Sequence, residues 1–335
     1  MTEITKPSTP SLPIVPEVGT PGPDEKFPIV EVPLWRIRLR LLWRSLLTNF
    51  RLFSENPIGL IGVFIIVLFA LMALAHPFLI QNVWNRSIYD PVTGYDARIP
   101  FHPSAPSADH LLGTDPLGRD VLSQLMFGTR AAFALGIVAA LVTVSIATTV
   151  GAVSAYYGGI LDTLFMRLAD LIIMTPIITF LIVLAALFDI GFIHLALIIG
   201  VLGGFGGATI IIKSQALTVK VRAYIEAARV AGGGNGHIIF RHIIPNLLPL
   251  SFLYMMFTVT SAIALEAVLS FFGLLNIRMS WGLMIYTTSY SGYLLDMSKW
   301  WLIFPAGLAI TMLCAAFYLV GRALDEVINP RLRRR

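Results

Sequence analysis

From residue 58 onward, long apolar runs alternate with shorter polar ones, and six of the apolar runs approach the ~20 residues a helix needs to cross ~30 Å of hydrocarbon. They cover about residues 58–75, 131–157, 164–188, 191–212, 247–272 and 300–320. The pattern predicts an all-α integral membrane protein with six transmembrane helices. Residues 1–34 hold many prolines and no hydrophobic periodicity, so a disordered tail is expected there. Residues 35–53 read differently. Trp35, Leu39, Leu42, Trp43, Leu46 and Phe50 share one helical face, while Arg36, Arg40, Arg44 and Arg51 share another. That is the pattern of an interfacial amphipathic helix whose arginines meet lipid headgroups. The transmembrane domain then spans 54–325, and 326–335 form a basic C-terminal tail.

Composition agrees with this reading. The 335 residues are 56% hydrophobic and 13% charged, far from the about 25% charged of soluble chains. The spans use most of the length, so no separate catalytic domain fits. The net charge of +5 is better read by position than as affinity for nucleic acid. Eighteen of the 24 basic residues fall on segments of one side, and Arg86, Arg98, Arg119, Arg130, Arg278 and Lys299 on the other. By the positive-inside rule both termini are cytoplasmic. Cys314 is the only cysteine, which excludes an intramolecular disulfide and a thiolate metal cluster.

Three polar features interrupt the pattern. In the stretch 222–250, helix formers run to Ala231, and Gly232, Gly233, Gly234 and Gly236 then stop the helix. A second short amphipathic segment, 237–244, is expected to end at Pro245. Such a hairpin, with paired alanines beside a glycine turn, lets another protein approach its backbone closely; the plain alternative is a connector between membrane helices. The run HLLGTDPLGRDVLSQLMFGTR, 110–130, carries turn chemistry at Asp115, Pro116 and Gly118, with Asp120 set to cap the helix that Val121 begins. His110, Asp115 and Asp120 lack zinc-type spacing, so turn and cap are the preferred reading and no metal site is expected. Glu266 is a carboxylate at membrane depth. With Ser270 it either lines a translocation path or serves as a structural hydrogen-bond acceptor, the second being slightly favoured.

EAARVAG, followed after nine residues by HIIP, resembles the EAA loop of binding-protein-dependent ABC importer permeases, carried here by Glu226, Ala227, Ala228, Gly232 and Pro245. The 110–130 run, with Gly113, Thr114, Asp115, Gly118, Arg119 and Asp120, is similar to the segment before the second span of the smaller permease in dipeptide, oligopeptide and nickel importers. YYGGILDTLFMRLAD, the Glu266-Ala267 and Leu269-Ser270-Phe271 positions and the closing GRALDEVINPRLRRR extend the resemblance over about 35–333. The chain departs from the family near the end of span four, where GGFGGATIIIKSQ with Lys213 replaces the usual tryptophan and arginine.

The resemblance implies a multi-pass subunit of a prokaryotic cell (inner or plasma) membrane, with a cytoplasmic hairpin inserted into an ATP-hydrolysing partner and a second, minor contact expected from the short loop of Tyr156, Tyr157, Gly158 and Gly159. It implies as partners a homologous second permease, two ATP-binding subunits and an extracytoplasmic solute-binding protein, with ATP and Mg on the partners and no cofactor on this chain. The expected cargo is di- or oligopeptide, with nickel or another small solute as the alternative. Nothing in the chain reads GxxxxGK[ST] and no nucleophile-base pair stands out, so the chain is not expected to be an enzyme. An ion-gradient-driven transporter, the rival class, would want several intramembrane ionisable residues or inverted repeats. Thr175-Pro176 and the glycines 200–207 are where bending is expected.

Overall fold

A computed structural model describes residues 53–328 of the chain. The expected N-terminal tail, nearly all of the interfacial helix and the last residues of the basic tail lie outside them. Among the described residues the fold is helical, and the only β pairings are the isolated bridges Thr114–Asp120 and Gly191–Asn276.

In chain order the helices are α1 (Pro57–Asn82), α2 (Arg86–Tyr89), α3 (Val121–Tyr157), α4 (Gly159–Met174), α5 (Ile177–Leu187), α6 (Phe192–Phe205), α7 (Gly207–Lys220), α8 (Ala223–Val230), α9 (Asn235–Ile238), α10 (Ile244–Phe271), α11 (Trp281–Tyr290) and α12 (Phe304–Ile328). A π-helical turn, Ile239–Ile243, joins α9 to α10, and a 3-10 segment, Met297–Leu302, precedes α12. Four unbroken helical stretches are long and apolar enough to cross a bilayer, and two bent pairs qualify if each pair counts as one span.

Several expected boundaries move. The run 164–188 is not one straight helix: α4 and α5 meet at 84°. The break falls at Thr175-Pro176, because a residue before proline is driven out of the helical region and proline lacks the N–H that would continue the ladder. The run 191–212 is bent by 41° between α6 and α7 and continues to Lys220, the corner sitting at Gly206. The first span runs on past residue 75 to Asn82, with Pro77 inside it. The second begins ten residues earlier than its apolar run, at Val121, because Gln124 and Thr129 are buried with hydrogen-bond partners.

The hairpin's second segment does not stop at Pro245. Asn235–Phe271 is one continuous 37-residue stretch. Pro245 stands at the start of α10, directly after the π turn, where the irregular ladder accommodates its missing donor. The two tryptophans before α12 differ in setting. Trp300 is half-exposed, but Trp301 is buried and its Nε1 donates to Thr114 O at 3.3 Å.

The long helix α3 is the centre, packing against α1, α6, α7 and α10. Its buried positions include Ala132, Gly136, Ala139, Ala140, Thr143, Ala147, Gly151, Ala152 and Ala155, a stripe of small residues at helical spacing. Between lipid-solvated helices close van der Waals contact replaces the hydrophobic drive, and small side chains permit it. A methyl group built on Gly136 would stand 2.7 Å from Val259 Cγ1 of α10, and one on Gly200 of α6 2.6 Å from Val142 Cβ. Hydroxyls lock the same seams: Thr143 Oγ1 donates to Gly200 O at 3.1 Å, and Thr148 Oγ1 and Ser251 Oγ share a hydrogen bond of 2.7 Å. On the other flank α1 packs on α12, where a methyl on Gly62 would meet Ala316 O at 2.7 Å, and Asn56 Nδ2 donates to Glu326 Oε2 at 2.6 Å.

Overpacking costs about 1–3 kcal/mol where neighbours cannot yield. Gly200→Leu is therefore expected to lower the melting temperature of the detergent-solubilised protein. Gly207→Leu, at a position with nothing within 4 Å, is expected to leave it nearly unchanged, both followed by intrinsic fluorescence on heating.

Candidate functional site

The sequence-predicted residues gather at three places. At one end of the bundle stands the hairpin. α8 is eight residues long, and Ile225 is its only buried side chain. Ile225, Ile238, Ile239 and Ile243 sink into a cluster with Ala152, Ala155, Ile212 and Leu247, so a greasy root fixes the hairpin to the ends of α3 and α7. Polar bonds brace it: Lys220 Nζ donates to Ala155 O at 3.0 Å and to Tyr156 O at 2.8 Å, and Tyr156 Oη to Asn235 Oδ1 at 2.8 Å. Gly232, at φ +85°, supplies the left-handed residue that turns the chain.

Above that root the surface is open. Glu226 is exposed and takes a 2.7 Å ion pair from Arg229; Ala227 and Gly232 are exposed and Ala228 half-buried. Pro245, also exposed, lies beyond the π turn on the helix that follows. Sequence reasoning passed over the apolar neighbours. Val230 is 87% exposed, Val221 75% and Phe240 63%, so a segment chosen for its polarity presents an apolar face to whatever meets it.

The second place is the interior of α10. Glu266 is buried, and Ser270 Oγ, one turn on, donates to Glu266 Oε1 at 2.6 Å. Ser280, which caps α11 by accepting from Leu283 N, reaches Ser270 Oγ at 3.3 Å. Ser280 was not singled out from the sequence; lying ten residues away in a loop, it gave no periodic signal.

The third is the loop 83–120 at the opposite end of the chain's path through the bundle. Gly113 and Gly118 adopt φ +71° and +81°, and each is crowded by a side chain, Trp301 and Tyr95 respectively. Asp115 Oδ1 accepts from the amides of Leu117 and Arg119 at 2.9 Å, while its Oδ2 takes Arg119 Nε at 2.7 Å and Gln124 Nε2 at 2.8 Å. Thr114 Oγ1 accepts from Ser104 N at 2.8 Å. Asp120 caps α3 through Ser123 N at 2.6 Å.

His110 is fully buried between two carboxylates, Nδ1 2.8 Å from Asp120 Oδ2 and Nε2 3.3 Å from Asp96 Oδ2. Both contacts are satisfied by an imidazolium donating twice, or by a neutral ring with one carboxyl holding the shared proton. Burial pushes the Asp120 carboxyl up, while the Arg98 guanidinium beside Asp96 holds that carboxyl well below the usual range. Asp96 had no place in the sequence reading. Asp115 stands apart from the group, tied to Arg119, and among the described residues no three His, Cys, Asp or Glu side chains are arranged to hold a metal ion.

A helical membrane bundle with an exposed, rooted hairpin at one end and a rigid polar loop at the other has the form of a transporter's membrane subunit. The chain belongs to the family described as binding-protein-dependent transport system inner membrane components, whose pattern matches residues 147–334. Among its relatives is the oligopeptide transport system permease protein OppC of Bacillus subtilis (strain 168), 32% identical over 296 residues, covering 88% of this chain and 91% of the relative. The dipeptide transport system permease protein DppC of the same strain is 32% identical over 87% of this chain and 85% of its own length. OppC of Escherichia coli (strain K12) is 32% identical over 88% and 93%.

Removing one partner of a buried charged group costs about 3–5 kcal/mol. His110→Ala is expected to destabilise the loop accordingly, measured as faster limited proteolysis within 83–120. The Asp96 carboxyl is depressed in the folded protein, so its stabilisation is present above the ordinary value of 3.8 and is lost as pH falls below it. Asp96→Asn should flatten that acid limb of a melting-temperature profile.

Proposed function

We propose that this chain is the translocation subunit of an ATP-driven, binding-protein-dependent importer of di- or oligopeptides in a prokaryotic inner membrane. The observation that carries the mechanism is the hairpin: its root is buried among small and branched side chains of α3 and α7, while Glu226, Ala227 and the apolar Val230 and Phe240 stand exposed. A rigidly rooted, open helix transmits force, and Ala227 and Ala228 let a groove on an ATPase close around its backbone. The peptide cargo rests on the names of the relatives, which are oligopeptide and dipeptide permeases from bacteria.

In this reading the chain crosses the membrane six times, each bent pair counting as one span, with both termini and the hairpin cytoplasmic. The charge distribution supports the orientation. Two ATP-binding subunits hold ATP and Mg, a homologous second permease completes the path, and an extracytoplasmic binding protein delivers the peptide. Closure of the ATPases moves the Glu226 helix, and the bundle switches between outward- and inward-facing states as a rigid-body rearrangement, with Thr175-Pro176 and Gly206 as bending points. The chain itself carries out no hydrolysis. Glu266, bonded to Ser270 and buried, serves chiefly as an internal acceptor that fixes α10 against the Ser280 loop.

Glu226→Lys reverses the charge at the docking helix, and loss of ATP-binding subunits on co-purification, with normal membrane insertion, is the expected result. Unchanged co-purification and transport would refute the coupling role. Glu266→Gln keeps an acceptor for Ser270 and is expected to leave assembly intact; a drop in transport per assembled complex would instead assign Glu266 to the path.

A further inference from the structure

The six basic residues assigned to the outer side divide sharply. Four are held by a nearby aspartate: Arg86 by Asp90 at 3.7 Å, Arg98 by Asp96 at 2.7 Å, Arg119 by Asp115 at 2.6 Å and Lys299 by Asp296 at 2.6 Å. Arg130 and Arg278 have no ion pair among the described residues, and the sequence holds them 148 positions apart. They nevertheless line the same space. Two cavities, of about 530 and 400 Å³, share Phe127, Arg130 and Arg278 as common walls. That size suits a small organic ligand.

The location is consistent from every element. The last turns of α1, the first turns of α3, the start of α6 and the loop after α10 all meet there, so the cavities open at the end opposite the hairpin. Both side chains are exposed at this rim, neither has a carboxylate partner among the described residues, and two guanidinium groups on one wall repel each other. Asp90 also lines the larger cavity, but its Oδ1 is committed to the amides of Val92 and Thr93, at 2.9 and 3.0 Å, and its Oδ2 to Arg86. The missing charge is that of an anion, and the guanidinium fork matches a carboxylate in two-bond geometry. The smaller cavity adds Phe192, Ile277 and Met279, an apolar wall beside the charge.

We propose that Arg130 and Arg278 form a subsite at the outer mouth that binds the terminal carboxylate of the incoming peptide, the adjoining apolar wall receiving the last side chain. This rests on the peptide-importer reading above and specifies which end of the substrate the permease engages. Holding the carboxylate as the peptide leaves its binding protein gives the substrate a defined direction of entry.

The test uses the complete complex of permeases, ATPases and binding protein in proteoliposomes. A pool of random tri- to pentapeptides is offered as free acids or as C-terminal amides, and uptake is read by mass spectrometry. Because the binding protein is the same throughout, its own preference cancels when variant and wild type are compared. Arg130→Gln with Arg278→Gln is expected to lower free-acid uptake about tenfold while amide uptake holds, a loss of the size expected for charge-assisted hydrogen bonds. Arg130→Lys with Arg278→Lys should retain much of the free-acid uptake. Equal loss of acids and amides would overturn the subsite and assign the arginines to binding-protein docking or lipid headgroups, and no loss would overturn it outright. If the wild-type complex takes up neither pool, the peptide-importer reading falls and the subsite with it; either of the preceding failures leaves that reading standing.

Discussion

The close approach of backbones along α3 is the constraint on which the rest depends. A membrane helix gains little from burying apolar surface against another, since lipid is equally apolar, so contact must come from fit. Ala, Gly and Thr at twelve of the eighteen buried positions of α3 let α6, α7 and α10 lie against it, and Thr143 and Thr148 add hydrogen bonds that have no competition from water. Larger side chains there would push apart the elements that root the hairpin and those that frame the cavities beside Arg130 and Arg278. One helix therefore indexes both ends of the molecule.

How much of this was legible in the sequence depends on range. The apolar runs were, because hydrophobic length is a local property. Pro176 and Gly206 marked the breaks for the same reason, although not the 84° and 41° that result, which the packing of neighbouring helices sets. Pro245 looked like a boundary and is not, since a proline after a π turn costs less than in the middle of a regular helix. The loop's individual turns were legible at Asp115, Gly118 and Asp120. Its centre was not, because His110 meets Asp96 and Asp120 across irregular turns, where no regular element ties sequence separation to proximity. The same holds for Arg130 and Arg278, which only the fold brings to a common wall.

The loop 83–120 and the hairpin solve opposite problems. The loop hides charge by pairing it internally, which makes it rigid: Asp115, Thr114 and Asp120 spend their acceptors on its own amides and on Arg119, Gln124 and Ser104. The hairpin leaves its tip unsatisfied in apolar terms and is rigid only at its base. A surface of the first kind is complete in itself, whereas one of the second kind leaves apolar side chains such as Val230 and Phe240 open.

The π turn at Ile239–Ile243 bears on helical phase. Ile239, Ile243, Leu247 and Ser251 are all buried, at successive steps of four residues. In an unbroken α-helix each such step overshoots by about 40°, so four positions would wander around the cylinder and leave the seam. The wider turn covers the first of these steps and offsets its overshoot, so the four spread less around the cylinder. The angular setting of the hairpin relative to the rest of the helix is therefore fixed at one place, by side chains that are themselves buried against α3 and α7. A single inserted or deleted residue there would turn Ile225, Ile238 and Ile239 by about 100° about the helix axis relative to Glu266, out of the cluster they share with α3 and α7, so the length of this one turn sets whether the hairpin is seated.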